Sequence, residues 1–256
     1  MNQDDKAARL QESQYSFPYH YIPELRPGKF SGIRYWSWSH RYLGGIQLVL
    51  DLLAKEDFTS LVDVGCGDGR FLREVAQNHA DKQLLGVDVS EQAIRYARAF
   101  NPAIEFVAQD VTENALARQF DVATLIEVME HIPPGKLDTF VRAVARCLRK
   151  SGRLVVTVPH QNKLLIKKHY QHFTAKNLLA ALDPYFTDFT VIPFDVAASR
   201  APLVYLIDRI LGSKGRWLLL ANPRLLYLFY AWYIKRYLYA RDESQCERLA
   251  VVCTVR

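Results

Sequence analysis

The chain is poor in sulfur chemistry. It has four cysteines in 256 residues, Cys66, Cys147, Cys246 and Cys253, and no Cys-x-x-Cys spacing. That excludes the common zinc and dithiol motifs and leaves free thiols in a reducing compartment. The opening residues, MNQDDKAARLQESQ, are polar and lack the apolar segment of a secretory signal. No apolar run reaches the roughly 20 residues that a membrane-spanning helix needs. There is no internal repeat and no low-complexity tract. A cytoplasmic protein of one large domain, or of one domain with a sizeable insert, is the expectation.

Net charge is nearly absent from most of the chain and concentrated in one part. The net charge is +6. Residues 196–241 carry eight Lys/Arg against the single acid Asp208, a net of +7. The remainder has 25 basic and 26 acidic residues, a net of −1. The basicity therefore belongs to that segment and needs its own explanation.

From about residue 42 to 195, short apolar runs alternate with helical spacing. SLVDVG, QLLGVDVS, IEFVAQD, FDVATLIEV and RLVVTVPH read as strands. RFLREVAQ and EQAIRYARAF read as helices, the second N-capped by Ser90. GKLDTFVRAVARCLRKSG reads as a helix stopped by Gly152, and AKNLLAAL as one capped by Thr174. FTDFTVIPF and the terminal RLAVVCTV add two strands, the last suited to an antiparallel edge. The expected fold is α/β: a doubly wound, mostly parallel seven-stranded sheet with helices on both faces. The last strand would be antiparallel, with a helical cap inserted before it. The expected divisions are an aromatic N-terminal segment (1–44), a nucleotide-binding core (45–195), a basic aromatic insert (196–247) and a final core strand (248–256).

LVDVGCGDGRF is the most informative stretch. A strand runs into Gly65, Cys66, Gly67, Asp68 and Gly69 and then into a helix. Glycines permit positive φ and let a ligand approach the backbone. The helix N-terminus turns its amides toward a carboxylate or phosphate. Asp88 ends the second strand, 21 residues after Gly67, where an acid accepts from ribose hydroxyls. Asp110 closes the third.

Together these stretches resemble the class I S-adenosylmethionine (SAM) methyltransferases: LVDVGCGDG their first motif, GVDVS their second, AQDV their third and FDVATLIEVMEHI their fourth. LRKSGRLVVTVP looks like their fifth-strand entry. The resemblance covers about residues 45–195. It implies SAM as cofactor, with Asp63, Gly65, Cys66, Gly67 and Gly69 facing its methionine part. It places Asp88 and Val89 on ribose and adenine, Asp110 and Val111 at the adenine ring, and Glu127 beside the sulfonium.

IEVMEHIPP puts Glu127, Glu130 and His131 within five positions. The small-RNA 3′-terminal 2′-O-methyltransferases of this superfamily hold a divalent metal on an E-x-x-E-H segment plus a later histidine. His169 or His172 in KKHYQHFT would complete such a set. Metal-free relatives share the segment, and the reading preferred here assigns no metal and no nucleic acid. His131, His160 and His172 are the candidate catalytic residues, His160 at a strand end where a general base can sit. Methyl transfer depends largely on positioning, so a base is not obligatory.

The two ends are aromatic. Tyr15, Phe17, Tyr19, Tyr21, Tyr35, Trp36, Trp38 and Tyr42 suit a lid over an apolar or sugar-faced acceptor, or core packing. NPRLLYLFYAWYIKRYLYAR suits a cap, a homodimer surface through residues 216–241, or an interfacial helix at the inner membrane face. The reading that combines these features is a SAM-dependent O-methyltransferase acting on a small-molecule or glycan- or lipid-linked acceptor. A metal-dependent RNA methyltransferase, a membrane-lipid methyltransferase and a non-enzymatic SAM-binding scaffold are its rivals.

Overall fold

The computed structural model describes residues 9, 24–26, 29–31, 36–211 and 223–256. A short antiparallel pair, β1 (Glu24–Arg26) and β2 (Lys29–Ser31), stands apart from the main sheet. Helix α1 (Trp36–Leu53) leads into β3 (Ser60–Val64), all five of whose residues are buried. Then follow α2 (Arg70–Asn78), β4 (Gln83–Asp88), α3 (Glu91–Phe100), β5 (Glu105–Ala108) and β6 (Phe120–Ile126). Next come α4 (Leu137–Arg146), β7 (Leu148–Pro159), α5 (Ala175–Leu182) and β8 (Phe186–Val196). Helices α6 (Pro202–Leu211) and α7 (Pro223–Tyr237) lie between β8 and β9 (Cys246–Val255). The N-caps expected at Ser90 and Thr174 are made: Ser90 accepts from the Ala93 amide and Thr174 from the Asn177 amide, each at 3.1 Å.

The seven strands run in the order β5-β4-β3-β6-β7-β9-β8. The first five are mutually parallel, while β9 is antiparallel to both β7 and β8. This is the expected doubly wound sheet with its reversed last strand. One face packs under α1, α2 and α3 through Leu48, Leu53, Leu72, Val75 and Ile94. The other packs under α4 and α5 through Phe140, Val144, Leu178 and Leu182. The strand order reverses between β3 and β6, which opens a crevice at their carboxyl ends.

Three expectations need correcting. The terminal strand is interior, with β8 at the edge: β9 buries six consecutive residues, whereas β8 after Phe186 alternates between half-buried and exposed ones along its first half. Gly152 does not stop a helix. Helix α4 ends at Arg146 because Leu148 already pairs with Phe120, and the chain turns at Ser151 (φ 62°) into β7. The boundary at residues 44/45 falls inside α1, which buries Leu43 and Ile46 in the same core. Most of the aromatic N-terminal segment, including Tyr15, Phe17, Tyr19, Tyr21 and Tyr35, lies outside the described residues, as does Trp217.

Candidate active site

A cavity of about 1200 Å³ opens at the carboxyl ends of β3, β4, β5 and β6. Its first half is built by the glycine loop. Gly65 (φ 80°) and Gly69 (φ 78°) adopt left-handed backbone, and a Cβ on Gly65 would lie 2.5 Å from Val128 Cγ2. The turn closes on Asp88: Oδ2 accepts from the Gly67 amide and Oδ1 from the Ser90 amide, each at 2.9 Å. Asp88 therefore braces the loop as well as facing the cavity. Asp110 accepts from the Thr112 amide (2.8 Å) and hydroxyl (2.7 Å), which fixes its carboxylate after β5. Val111 is buried, while Val89 is 71% exposed on the cavity wall, an apolar surface offered to a planar ring.

Asp63 lines the same wall at 2% exposure and accepts from Thr124 Oγ1 at 2.6 Å. Burial pushes its carboxyl up to about 7, and the Asp88 charge adds to the rise against the Thr124 hydrogen bond. Cys66 is buried beside it, and burial among three acids raises its thiol well above the ordinary value, so it stays protonated. All four cysteines are buried and free.

The second half is formed by residues 127–133, the segment after β7, the middle of α1 and the start of β9. Glu127 ends β6 with φ 55°. Glu130 is completely buried, and neither of its oxygens has a hydrogen-bond partner among the described residues. Burial holds its carboxyl well above the usual range, with the Glu127 charge adding to the rise.

Of the three histidines expected to be catalytic, only His131 lines the cavity. Its Nδ1 donates to the Lys168 carbonyl (3.1 Å), which leaves Nε2 with a bare lone pair. Burial pushes its pKa down to about 4, helped by the Lys168 charge, so the ring is neutral. His172 Nδ1 donates to the Lys163 carbonyl (3.0 Å), so its Nε2 accepts from His169 Nδ1 (2.8 Å). His169 then also presents a bare Nε2. His160 is engaged at both ring nitrogens, with the Asn162 amide (3.0 Å) and Glu243 (2.9 Å), and lies off the cavity wall. The strand-end histidine fastens β7 to the turn before β9.

Sequence reasoning missed a buried ionic network on the same wall. Asp195 (φ 60°, 1% exposed) accepts from Arg41 (2.5 Å) and from Tyr233 Oη (2.9 Å). Arg248 Nε lies 3.2 Å from Asp195, off line for a hydrogen bond, so the two are held as ions. Arg248 also donates to the Arg41 carbonyl (2.6 Å), covers the Phe194 ring at 4.5 Å, and comes within 4.0 Å of Glu127. A Cβ on Gly45 would fall 2.7 Å from Arg248 Nη1, so any side chain there would displace the guanidinium. Arg41, Arg248, Lys163 and Lys168 outnumber Glu127, Glu130 and Asp195 in the second half, while Asp63, Asp68, Asp88, Asp110 and Glu113 make the first half acidic. The only local sign is an arginine just before the apolar run of the last strand.

Comparison with known proteins agrees with this geometry. Residues 61–152 match the family described as a methyltransferase domain. A ubiquinone biosynthesis O-methyltransferase of Idiomarina loihiensis is 33% identical over 108 residues, which are 40% of this chain and 43% of that protein. The chain thus spans less than half the length of the curated relative it matches. A SAM-dependent methyltransferase of Archaeoglobus fulgidus superposes with a TM-score of 0.57 at 17% identity, covering 84% of this chain and 94% of the other. The N-methyltransferase NodS of Bradyrhizobium japonicum, bound to S-adenosylhomocysteine, gives 0.54 at 14%, covering 85% and 87%. These two show a shared fold. Residues 61–152 are thus a methyltransferase domain, and the chain has the fold of the class I SAM-dependent methyltransferases, whose cofactor is SAM.

Proposed function

We propose that the protein transfers a methyl group from SAM to an oxygen of a small-molecule or glycan- or lipid-linked acceptor. The observation that carries this is the single cavity with two unlike halves. Its volume of about 1200 Å³ exceeds the few hundred to about 1000 Å³ that one ligand occupies, so cofactor and acceptor fit together. The acidic half suits a cofactor with ribose hydroxyls, an amino acid ammonium and an adenine. Asp88 and Val89 would take ribose and adenine, Asp110 and Val111 the adenine edge, and Asp63, Gly65, Cys66, Gly67 and Gly69 the methionine part. Glu127 would stand near the sulfonium.

When bound, SAM supplies a methyl group on a positively charged sulfur that needs no further activation. The chain's own residues position the partner. The bare Nε2 of His131 accepts the acceptor's O–H, aims the oxygen lone pair at the cofactor side, and takes the proton as that oxygen loses electron density. With a pKa near 4 it is a weak base, and the proton passes on readily to water. His172 acts on His169 and the Lys163 carbonyl as a positioning residue. Arg41 and Arg248 attract an acceptor with a carboxylate or phosphate.

The test is a screen of acceptor classes with SAM labelled in the methyl group. Label in an oxygen-methylated, anionic small molecule or lipid-linked glycan is the expected result. Label on nitrogen or on RNA would replace the acceptor reading. SAM binding by calorimetry without transfer to any class would leave the scaffold.

A second reading is carried by Glu130. One of its carboxylate oxygens and one ring nitrogen each of His131 and His169 lie within 4.8 Å of one another, and each imidazole keeps one unprotonated nitrogen. Three acceptors facing each other need a positive centre: either the proton that Glu130 keeps or a divalent cation. Two histidines and a carboxylate suit Mn²⁺, Fe²⁺ or Zn²⁺. Elemental analysis of the purified protein and turnover in chelator separate the two. Stoichiometric metal, or activity lost to chelator and restored by Mn²⁺, would install the cation. Full activity without metal leaves the neutral carboxyl.

A further inference from the structure

The segment joining β7 to α5, residues 161–173, projects a tip that none of the described residues covers. Leu164 is 87% exposed, Leu165 58% and Ile166 43%. Single exposed apolar residues are ordinary on a soluble protein, but three in succession are not. Lys163 precedes them and Lys167 and Lys168 follow, and residues 161–173 contain no acid.

The base of the tip is pinned on both sides. The Lys163 amide donates to the His160 carbonyl (3.0 Å), and the Lys163 carbonyl accepts from His172. The Lys168 carbonyl accepts from His131, and the Tyr170 amide donates to the Glu130 carbonyl (2.9 Å). The His169 amide closes a turn on the Ile166 carbonyl (3.0 Å). The apolar residues are therefore held outward by a fixed backbone, so docking them costs little ordering. Lys163, Ile166 and Lys168 also line the cavity, so the tip stands at its mouth.

We propose that this tip docks the protein on an anionic phospholipid surface, with Leu164 and Leu165 in the headgroup–acyl boundary and the exposed Lys167 on a lipid phosphate. The charge pattern selects that occupant. An apolar centre with a basic rim matches an anionic bilayer, whereas a second copy would bring a like-charged tip against this one. The cavity mouth then faces the bilayer, and an amphiphilic acceptor enters without crossing water. The inference rests on the proposed function only in treating the cavity as the acceptor's. Docking is measured without turnover, so either can fail alone.

The experiment floats the full chain on vesicles of phosphatidylcholine alone and of phosphatidylcholine with phosphatidylglycerol, at about 0.1 M and 0.5 M salt. Wild type should float with the anionic vesicles only, and less at the higher salt. Leu164→Ser with Leu165→Ser should lower the partition coefficient at least tenfold, and Lys167→Gln by roughly fivefold. These residues are exposed and none of the three lines the cavity, so melting temperature and SAM binding should not change. Three results would overturn the proposal: wild type that never floats, a double variant that floats like wild type, or a double variant whose oligomeric state changes in sedimentation. The second would move the contact to another element, and the third would assign the tip to a second copy of the chain.

Discussion

At the scale of single residues, the site is organised by acids that do two jobs. Asp88 braces the glycine loop through the Gly67 and Ser90 amides and still faces the cavity. Asp88→Ala should therefore weaken SAM binding by on the order of 2–3 kcal/mol, read by calorimetry. Wild-type affinity in that variant would remove the assignment. Asp63 makes a different prediction. A carboxyl with its pKa raised to about 7 is largely protonated below neutrality, and a neutral carboxyl does not attract the methionine ammonium. SAM affinity should therefore rise as pH increases through about 7, and Asp63→Asn should flatten that dependence. The same shift has a stability side. The folded state holds this proton more tightly than the unfolded chain, so stability from Asp63 is present below the unfolded pKa and is lost as pH rises through about 7. A pH series of binding and melting on the wild type and Asp63→Asn checks both signs.

At the scale of elements, what could be read in the sequence was what depends on near neighbours. The apolar run of β3 ending in Gly65, the Ser90 cap of α3 and the acids closing β4 and β5 are all signals within a few residues of one another, and each element stands where they put it. The basic half of the site was not legible, because it is assembled across the chain. Arg41 meets Asp195 over 154 residues, and Arg248 meets the Arg41 carbonyl over 207. No local pattern foretells such meetings. Gly152 shows the converse: a local rule marks it as a helix stop, but Leu148 is captured by Phe120 four residues earlier. The network can be tested as a unit tying α1, β8, α7 and β9 together. Asp195→Ala leaves Arg41 and Tyr233 without their shared acceptor and Arg248 without a buried counter-ion, and should cost about 3–5 kcal/mol in denaturant unfolding. A loss below about 1 kcal/mol would mean that water replaces the carboxylate there.

At the scale of the whole molecule, the helical insert joins the core only in part. Tyr230 and Tyr233 on α7 are buried, while Leu228 is 63% exposed and Tyr205 on α6 is 54% exposed. Among the described residues no helix is long and apolar enough to cross a membrane. Tyr230→Ala should destabilise by about 3 kcal/mol and lower the melting temperature by roughly 6–12 °C, whereas Leu228→Ala should leave it nearly unchanged. Equal effects would mean that both faces of α7 are covered. The interior position of β9 bears on how the chain is made. Strands β7 and β8 are both synthesised before residue 246, yet neither has its full ladder until β9 slots between them. A nascent chain that has emerged only as far as α7 carries two open sheet edges, and lacks the Arg248 that belongs beside Glu127. The nucleotide loop can fold during translation, but the acceptor side waits for the ribosome to deliver β9, and until then those edges need shielding from neighbouring chains.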